Sequence, residues 1–258
     1  MDLTSPFLDA RFINPDAVVQ FERDGFVVLP GALNAASVAR VSRWIDELAA
    51  APEVPGRHWV YHEQDPHADG GRLLSRIENF SPFHAGLREL AEQFGRLAAC
   101  FLGEASVLFK EKINFKLPGA DGFKAHQDAQ AGWSEYADYF VTVALCIDVA
   151  TAENGCLEFA AGHHRSGLYP EWSPLDANAL SDMAFQLVPT VPGDVICFDS
   201  FTPHASKPNR STQQRRFYFA TYNRVSAGDQ RSRYLFDKHE AYPPDIEREA
   251  GRHYVYRV

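Results

Sequence analysis

The amino-acid sequence predicts an α+β protein in which antiparallel strands form a double-sheet jelly roll flanked by N-terminal helices. Apolar residues recur at helical spacing through the first third of the chain, then alternate or run together in short blocks from Ser106 onward. Gly, Pro and Asn punctuate that second part at the short intervals expected of β-strands.

In the first third, "NPDAVVQFERDG" reads as a helix with Asn14 as cap, Pro15 at its first position and Gly25 as its stop. A short strand, "FVVLPG", follows. Asn34 then caps "AASVARVSRWIDELAA", where Val38, Val41, Trp44, Ile45 and Leu48 share one face. Residues 51–72 are polar and rich in Pro, His and Gly, so they read as a long loop, a usual form for a lid. A third helix spans roughly His84 to Leu102. Beyond it "SVLFKEKINFKL" alternates as a strand and "PGADG" turns the chain. "YFVTVALCIDVA" is a strand that Asn154-Gly155 folds back as a hairpin onto "CLEFAAG". "QLVPTVPGDVICFDS" and "RRFYFATYNRV" supply the last strands. Without an internal repeat, low-complexity tract or linker, residues 1–258 read as a single domain.

Composition narrows the function. With 258 residues, 45% of them apolar, the chain can bury a substantial core. A formal charge of −9 and a pI near 5.5 argue against nucleic acid or an anionic membrane surface as partner. The acidic start "MDLTSPFLDARF" has no signal-peptide pattern, and no apolar run approaches the roughly 18 residues of a membrane span. The cysteines Cys100, Cys146, Cys156 and Cys197 form no CxxC pair, which fits reduced, buried thiols in a cytoplasmic protein. A small molecule is the expected partner. Oligomeric state is not legible.

The chemistry starts in "FKAHQDAQAGW". In a strand, residues two apart point to one face, so His126 and Asp128 would aim an imidazole and a carboxylate into one space. Chance supplies about one such pair in a chain of this composition, and "HAD" at His67 and Asp69 is a second copy. That copy lies in the Pro/Gly-rich loop and reads as solvated polarity. A third ligand is needed, and His204 at the end of the "GDVICFDS" strand offers one. A reversal centred near Asn209 and Arg210 would set His204 opposite Arg215, a poor neighbour for a metal ligand unless an anion lies between them. Two histidines and one carboxylate on one face of a metal leave positions open, as in non-haem Fe(II) oxygenases. An arginine clamps a carboxylate through two parallel hydrogen bonds. 2-Oxoglutarate both chelates iron and carries a second carboxylate, so it fits both features.

Other residues compete for roles. His163 and His164 are adjacent, and adjacent residues in an extended chain point apart, so they read as a turn. Arg216 rivals Arg215, and opposite pleat faces separate the two. Asn114 and Lys116 alternate onto one strand face and could reach a substrate, as could Trp133, Tyr136 and Tyr139 after the HxD segment. A solvated strand face and an aromatic core are the plainer readings of these groups.

Taken together, "FERDGFVVLPGAL", "HQD", "ENGCLEFAAGHHRSG" and "PGDVICFDSFTPHASKPNRSTQQRR" resemble the phytanoyl-CoA dioxygenase-like (PhyH) family of Fe(II)/2-oxoglutarate oxygenases. The resemblance covers nearly the whole chain. It implies a double-stranded β-helix (a cupin-like jelly roll) and places His126 at a strand end. It also implies that His126, Asp128 and His204 bind Fe(II) and carry catalysis, and that Arg215, with Ser206, binds 2-oxoglutarate. O₂ would be activated at the iron and 2-oxoglutarate decarboxylated to succinate and CO₂ as a substrate C–H bond is hydroxylated, with ascorbate helpful in vitro. The carboxylate of Asp128 favours hydroxylation over halogenation. "AAGHH" departs from the family's Pro-Gly-Ser-His at a turn and leaves the metal site untouched.

The run as a whole, including "AYPPDIEREAG", is loosely similar to bacterial hydroxylases of 2-aminoethylphosphonate and its N-methylated relatives. The expected reaction is hydroxylation of such a small charged molecule at the carbon beside its phosphonate. Arg72, Arg76 or Lys116 would meet the anion. Trp59, Tyr61 or Trp133 would offer aromatic faces to the ammonium. Hydroxylation of another small metabolite or an acyl-CoA is the alternative, although no basic cluster suits CoA phosphates between residues 51 and 80. A non-catalytic cupin-like metal protein, or an isomerase or hydrolase on the same fold, would have no need of Arg215.

Overall fold

The structure, a computed structural model, describes residues 15–255. The cap expected at Asn14 and the amino-terminal segment lie outside the described residues. Helix α1 (Pro15–Asp24) leads into strand β1 (Phe26–Leu29), with Gly25 between them at φ +82°. Helix α2 (Ala35–Ala50) starts where the Asn34 side chain accepts the Ser37 N–H at 2.9 Å, and it buries the Val38, Val41, Ile45 and Leu48 stripe. Strands β2 (Trp59–Gln64) and β3 (Arg72–Glu78) pair antiparallel and precede helix α3 (Ala85–Leu102), which His84 caps and Gly103 ends in the left-handed region.

After α3 the chain is almost all strand: β4 (Ser106–Lys116), β5 (Phe123–His126), β6 (Phe140–Cys146) and β7 (Leu157–Ala160). A one-turn helix α4 (Ala177–Leu180) precedes β8 (Phe185–Val188), β9 (Val195–Asp199), β10 (His204–Ser206) and β11 (Arg215–Arg224). Helix α5 (Arg231–Ala241) is the last α-helix of the described chain and is followed by a 3₁₀ turn, Asp245–Glu247. The strands form a seven-stranded sheet in the order β1-β9-β6-β11-β4-β3-β2 and a four-stranded sheet in the order β5-β10-β7-β8. The two are the layers of the jelly roll.

Strand alternation divides the large sheet into two faces. On β11, Tyr218, Ala220 and Tyr222 pack outward into the core shared with α1, α2 and α3. Phe217 and Phe219 point inward and join Phe26, Phe159 and Phe198 between the sheets. Each fully buried ring stabilises by about 1.5–3 kcal/mol, so this inner cluster sets the spacing of the two layers around whatever lies between them.

Three sequence expectations are corrected here. Residues 51–72 are not one long loop, because "WVYHEQ" is β2, whose alternation breaks at an irregularity between Tyr61 and His62. Asn154-Gly155 does not turn a hairpin. β6 belongs to the large sheet and β7 to the small one, so the chain crosses between layers there. Asn154 holds the crossing by bonding the Thr151 N–H and the Val149 carbonyl. Gly155, at φ +74°, leaves room for the Lys207 carbonyl, which any Cβ would strike. Finally, β10 and β11 are not hairpin partners, so His204 and Arg215 reach the interior from opposite sheets.

Candidate active site

Antiparallel pairing of β5 with β10 sets His204 directly opposite His126, with ring centroids 4.3 Å apart. β5 ends at His126. Asp128 is therefore not the next inward strand residue but opens a 3₁₀ turn, Asp128–Ala131, that swings its carboxylate back toward the two rings. The ligand atoms of His126, Asp128 and His204 all lie within 4.8 Å of one another.

The histidines are prepared as ligands. Nδ1 of His126 donates to the Lys124 carbonyl at 2.7 Å, and Nδ1 of His204 to the Thr202 carbonyl at 3.0 Å. A carbonyl can only accept, so both rings present Nε2 lone pairs. Burial depresses both imidazoles, His126 to about 3, which keeps them neutral at physiological pH. Burial opposes the charge of Asp128, but Lys112, the two histidines and Lys110 outweigh it and hold the carboxyl at about 2. Two neutral imidazoles and one carboxylate suit a divalent metal with open positions. Phe198 and Phe159 close the back of His204 at 5.0 and 5.8 Å between centroids.

Surrounding groups fix the cluster. Thr142 donates to Asp128 at 3.4 Å and meets Thr221 at 2.9 Å, a cross-strand hydroxyl pair on the inner face. Gln127 points away from the metal side, as alternation requires. Its amide donates to the Gly167 and Phe201 carbonyls and accepts from the Tyr169 N–H, while Gln130 donates to the Pro170 and Ser173 carbonyls. The two glutamines thereby tie residues 167–173 to the turn that carries Asp128.

Arg215 and Arg216 separate as their parity demands. Arg216 faces the helical layer, where it pairs with Asp148 at 2.8 Å and with Asp46. Arg215 faces the interior, only 2% exposed, with its buried Nε unpartnered among the described residues. Burial pulls its guanidinium down only to about 10, so it remains charged at neutral pH. Lys116 lies opposite it in register and donates to Ser206 Oγ at 2.7 Å and to the Lys207 carbonyl at 2.6 Å. Burial first, and then Arg215, lower the Lys116 amine to about 7. Arg215, Lys116 and Ser206 thus form one buried basic corner without a paired carboxylate among the described residues, complementary to a carboxylate that enters from outside.

The remaining sequence candidates divide. Arg76 and Tyr61 line a cavity of about 470 Å³ that also includes His126 and Trp172. Asn114 is buried on the inner face beside Arg76, and its Oδ1 has no hydrogen-bond partner among the described residues. Lys116, a candidate for the substrate anion, instead sits in the Arg215 corner. Trp133 is core, 1% exposed and packed on Phe109 and Phe140 at 5.4 and 5.2 Å. Trp59 is likewise buried, beside His239. Arg72 does not line the cavity, and bonds Asp245 and the lining residue His62. Tyr136 bonds Asp237 and Tyr139 bonds Asp199. His67 and Asp69 lie on the exposed β2–β3 connection, and His163 and His164 in a separate 3₁₀ turn, all apart from the triad.

Sequence reasoning missed Lys110, Lys112, Glu78 and Lys238. The inward residues of β4 are Lys110, Lys112, Asn114 and Lys116, and Glu78 on β3 lies opposite Lys112. Buried Glu78 pairs with Arg76 at 2.9 Å and with Lys238 of α5. Burial opposes its charge, yet Lys238, Arg76 and Lys110 hold its carboxyl well below the usual range. The lysine alternation in "FKEKINFK" was the available signal, but alone it also describes a solvated strand face.

Among the described residues no helix is long and apolar enough to cross a membrane, and all four cysteines are free. Residues 21–217 match the phytanoyl-CoA dioxygenase (PhyH) family. The chain is 38% identical over 249 residues to a 2-aminoethylphosphonate dioxygenase of uncultured bacterium HF130_AEPn_1, covering 94% of each. It is 37% identical over 233 residues to a methylphosphonate hydroxylase of Gimesia maris, covering 86% of this chain and 85% of the relative. Its fold is similar to the crystal structure of EctD from S. alaskensis with 2-oxoglutarate and 5-hydroxyectoine, with a TM-score of 0.72 and 22% identity over 87% of this chain and 82% of that one. The chain is therefore an oxidoreductase of the dioxygenase type, and it belongs to the phytanoyl-CoA dioxygenase (PhyH) family.

Proposed function

We infer that this enzyme uses Fe(II), O₂ and 2-oxoglutarate to hydroxylate a small phosphonate, 2-aminoethylphosphonate or an N-methylated relative, at the carbon beside phosphorus. In the balanced reaction the C–H bond gains one oxygen atom, the other enters succinate, and CO₂ leaves. The observation that carries the reading is the buried corner of Arg215, Lys116 and Ser206, whose two cations have no ion-paired carboxylate among the described residues and which lies between the same two sheets as the triad histidines. An uncompensated buried guanidinium is costly, and the far carboxylate of 2-oxoglutarate is the natural group to relieve that cost.

His126, Asp128 and His204 would hold the metal, which supplies O₂ activation when bound. The chain's own part is to orient. Arg215 and Lys116 fix the co-substrate's tail, the hydrogen-bonded Nδ1 atoms fix the imidazoles, and the Phe159–Phe198 wall excludes water behind His204. The phosphonate comes from the two relatives, whose named substrates share that group and differ by an aminomethyl group. For methylphosphonate the carbon beside phosphorus is the only carbon, which supports that position for the new hydroxyl. The large sheet contributes to all three apolar clusters, which supports a single oxygenase domain, and the free cysteines support a reducing, cytoplasmic location.

The test is succinate formation by Fe(II)-loaded protein with ascorbate, across aminophosphonates, quaternary amines, amino acids and acyl-CoAs. Coupled turnover with a phosphonate is expected. Turnover with acyl thioesters alone would overturn the reading.

A further inference from the structure

We propose that the enzyme reads the ammonium end of its substrate with the carboxylate of Glu63, seated beside Asp121 on the wall of the cavity that His126 also lines. This rests on the phosphonate reading above and assigns the amine a subsite of its own.

The cavity of about 470 Å³ carries opposite charges at separate places on its lining. Arg76 stands on β3, where Glu78 takes its Nε at 2.9 Å, and the exposed Lys124 is the other lining cation. Glu63 on β2 and Asp121, in the turn before β5, are the lining carboxylates. His126 brings the metal cluster to the same space. Strand register fixes the spacing of the two ends. Arg76 pairs with Tyr61 and Glu63 with Leu73, three residues away on β3, which is about 10 Å at the rise of a strand. That leaves room for a hydrogen bond of about 3 Å at either end and a molecule a few bonds long between them. A short zwitterion held there keeps its carbons beside His126.

Glu63 is prepared for a cation. Neither it nor Asp121 has an ion-pair partner among the described residues; Glu63 accepts the Asp121 N–H at 3.2 Å, and Asp121 accepts the Gly122 N–H at 2.6 Å. Glu63 is half-buried, and burial pushes its carboxyl above the ordinary range. The Asp121 charge adds to that, while the Asp121 N–H and Lys116 oppose it. A cation bound beside the pair relieves both the burial and the repulsion. A second observation marks the same interior as built for a polar ligand. Asn114, the register partner of Arg76, is only 8% exposed on the inner face, and its Oδ1 lacks a hydrogen-bond donor among the described residues. Such an oxygen costs stability until a donor arrives.

The walls strengthen the contact. Tyr61, Tyr242 and the half-exposed Trp172 complete the lining. Trp172 is held at φ +68°, with its N–H on the Gln130 carbonyl at 2.8 Å and its indole packed on Gly132, where any Cβ would strike it. Aromatic walls lower the local dielectric, so an ammonium–carboxylate pair between them is stronger than one in open water.

The test is steady-state O₂ uptake with 2-aminoethylphosphonate, its N-trimethyl form and ethylphosphonate, which lacks only the amine. The wild type should favour the better of the two aminated substrates over ethylphosphonate by about tenfold or more in kcat/KM, as loss of one charged contact predicts. Glu63→Gln should lower kcat/KM for that aminated substrate by about tenfold or more, leaving ethylphosphonate and KM for 2-oxoglutarate within about twofold, and Glu63→Asp should recover part of the loss. Equal turnover of ethylphosphonate and the aminated substrates by the wild type overturns the proposal without touching the proposed function. So does a Glu63→Gln effect that is absent, shared equally by ethylphosphonate, or confined to KM for 2-oxoglutarate, which would assign Glu63 to the Lys116 corner instead. Failure of the wild type to turn over any of the three would sink the proposed function and this inference with it.

Discussion

Arg215 and Arg216 are neighbours on one strand, both buried, and they have opposite meanings. Arg216 points out of the large sheet into the helical layer, where Asp46 and Asp148 take its guanidinium and Ser42 accepts another bond. Arg215 points into the jelly roll, and its nearest charged neighbour across the ladder is another cation, Lys116. A fold that only needed stability would not keep the second arrangement. Two buried cations side by side cost stability unless an anion joins them. The outer face of the sheet matches its charges internally. The inner face does so only at Glu78, which pairs with Arg76 and Lys238, and leaves the Arg215 corner to a ligand.

Predictions follow from how strongly each change should disturb that contrast. The largest effect belongs to the inner cluster: His126→Ala, Asp128→Ala and His204→Ala should each lower turnover by more than about 100-fold, beyond the loss typical of outer-shell groups, with the fold retained by circular dichroism. Full turnover at trace iron by any of them would remove that residue from the metal site. Next come the two arginines, read by thermal unfolding of ligand-free protein. Arg216→Met should cost about 1–3 kcal/mol, tempered by the exposure of Asp46, whereas Arg215→Met should be neutral or stabilising. Equal losses would erase the contrast.

The third prediction is a pH dependence. Folding lowers the Lys116 amine from its ordinary 10.5 to about 7, mainly by burial and then by Arg215. Below pH 7 the amine is charged in both folded and unfolded chains, and the folded state bears the whole penalty. Above it the unfolded chain binds more protons, so this group makes stability rise with pH between about 7 and 10.5. Lys116→Met should flatten that rise, and 2-oxoglutarate binding to the wild type above pH 7 should take up protons. Release of protons on binding would contradict the placement of Lys116 at the co-substrate's carboxylate. The smallest effect is that of Thr142→Val. Its 3.4 Å bond to Asp128 is long, so Fe(II) affinity should fall by less than about tenfold, measured by competition with a chelator.

Most of the helices and strands were legible because their signals are local. The Val38–Leu48 stripe with its Asn34 cap is one case, and the alternation of "SVLFKEKINFK" is another. What escaped depends on which sheet a strand joins. Asn154-Gly155 has hairpin chemistry, but its glycine serves the approach of the Lys207 carbonyl at a crossing between layers. β2 was hidden because its period slips near Tyr61 and its flanks are full of Pro and Gly. His126, Asp128 and His204 could be picked from pattern and resemblance, although the reason first given for the HxD pair was strand alternation. The structure instead ends the strand at His126 and turns Asp128 inward. The Glu78–Arg76–Lys238 network joins residues from β3 and α5, with Glu78 and Lys238 160 positions apart in the chain, and no local pattern reveals such a pairing.

The contrast between the two arginines is tested most directly by anaerobic equilibrium binding of 2-oxoglutarate to Fe(II)-loaded wild type, Arg215→Met and Arg216→Met. Loss of about tenfold or more in affinity is expected for Arg215→Met, and affinity within about twofold of wild type for Arg216→Met. The opposite order, or equal affinity in all three proteins, would contradict the assignment of the inner guanidinium to the co-substrate.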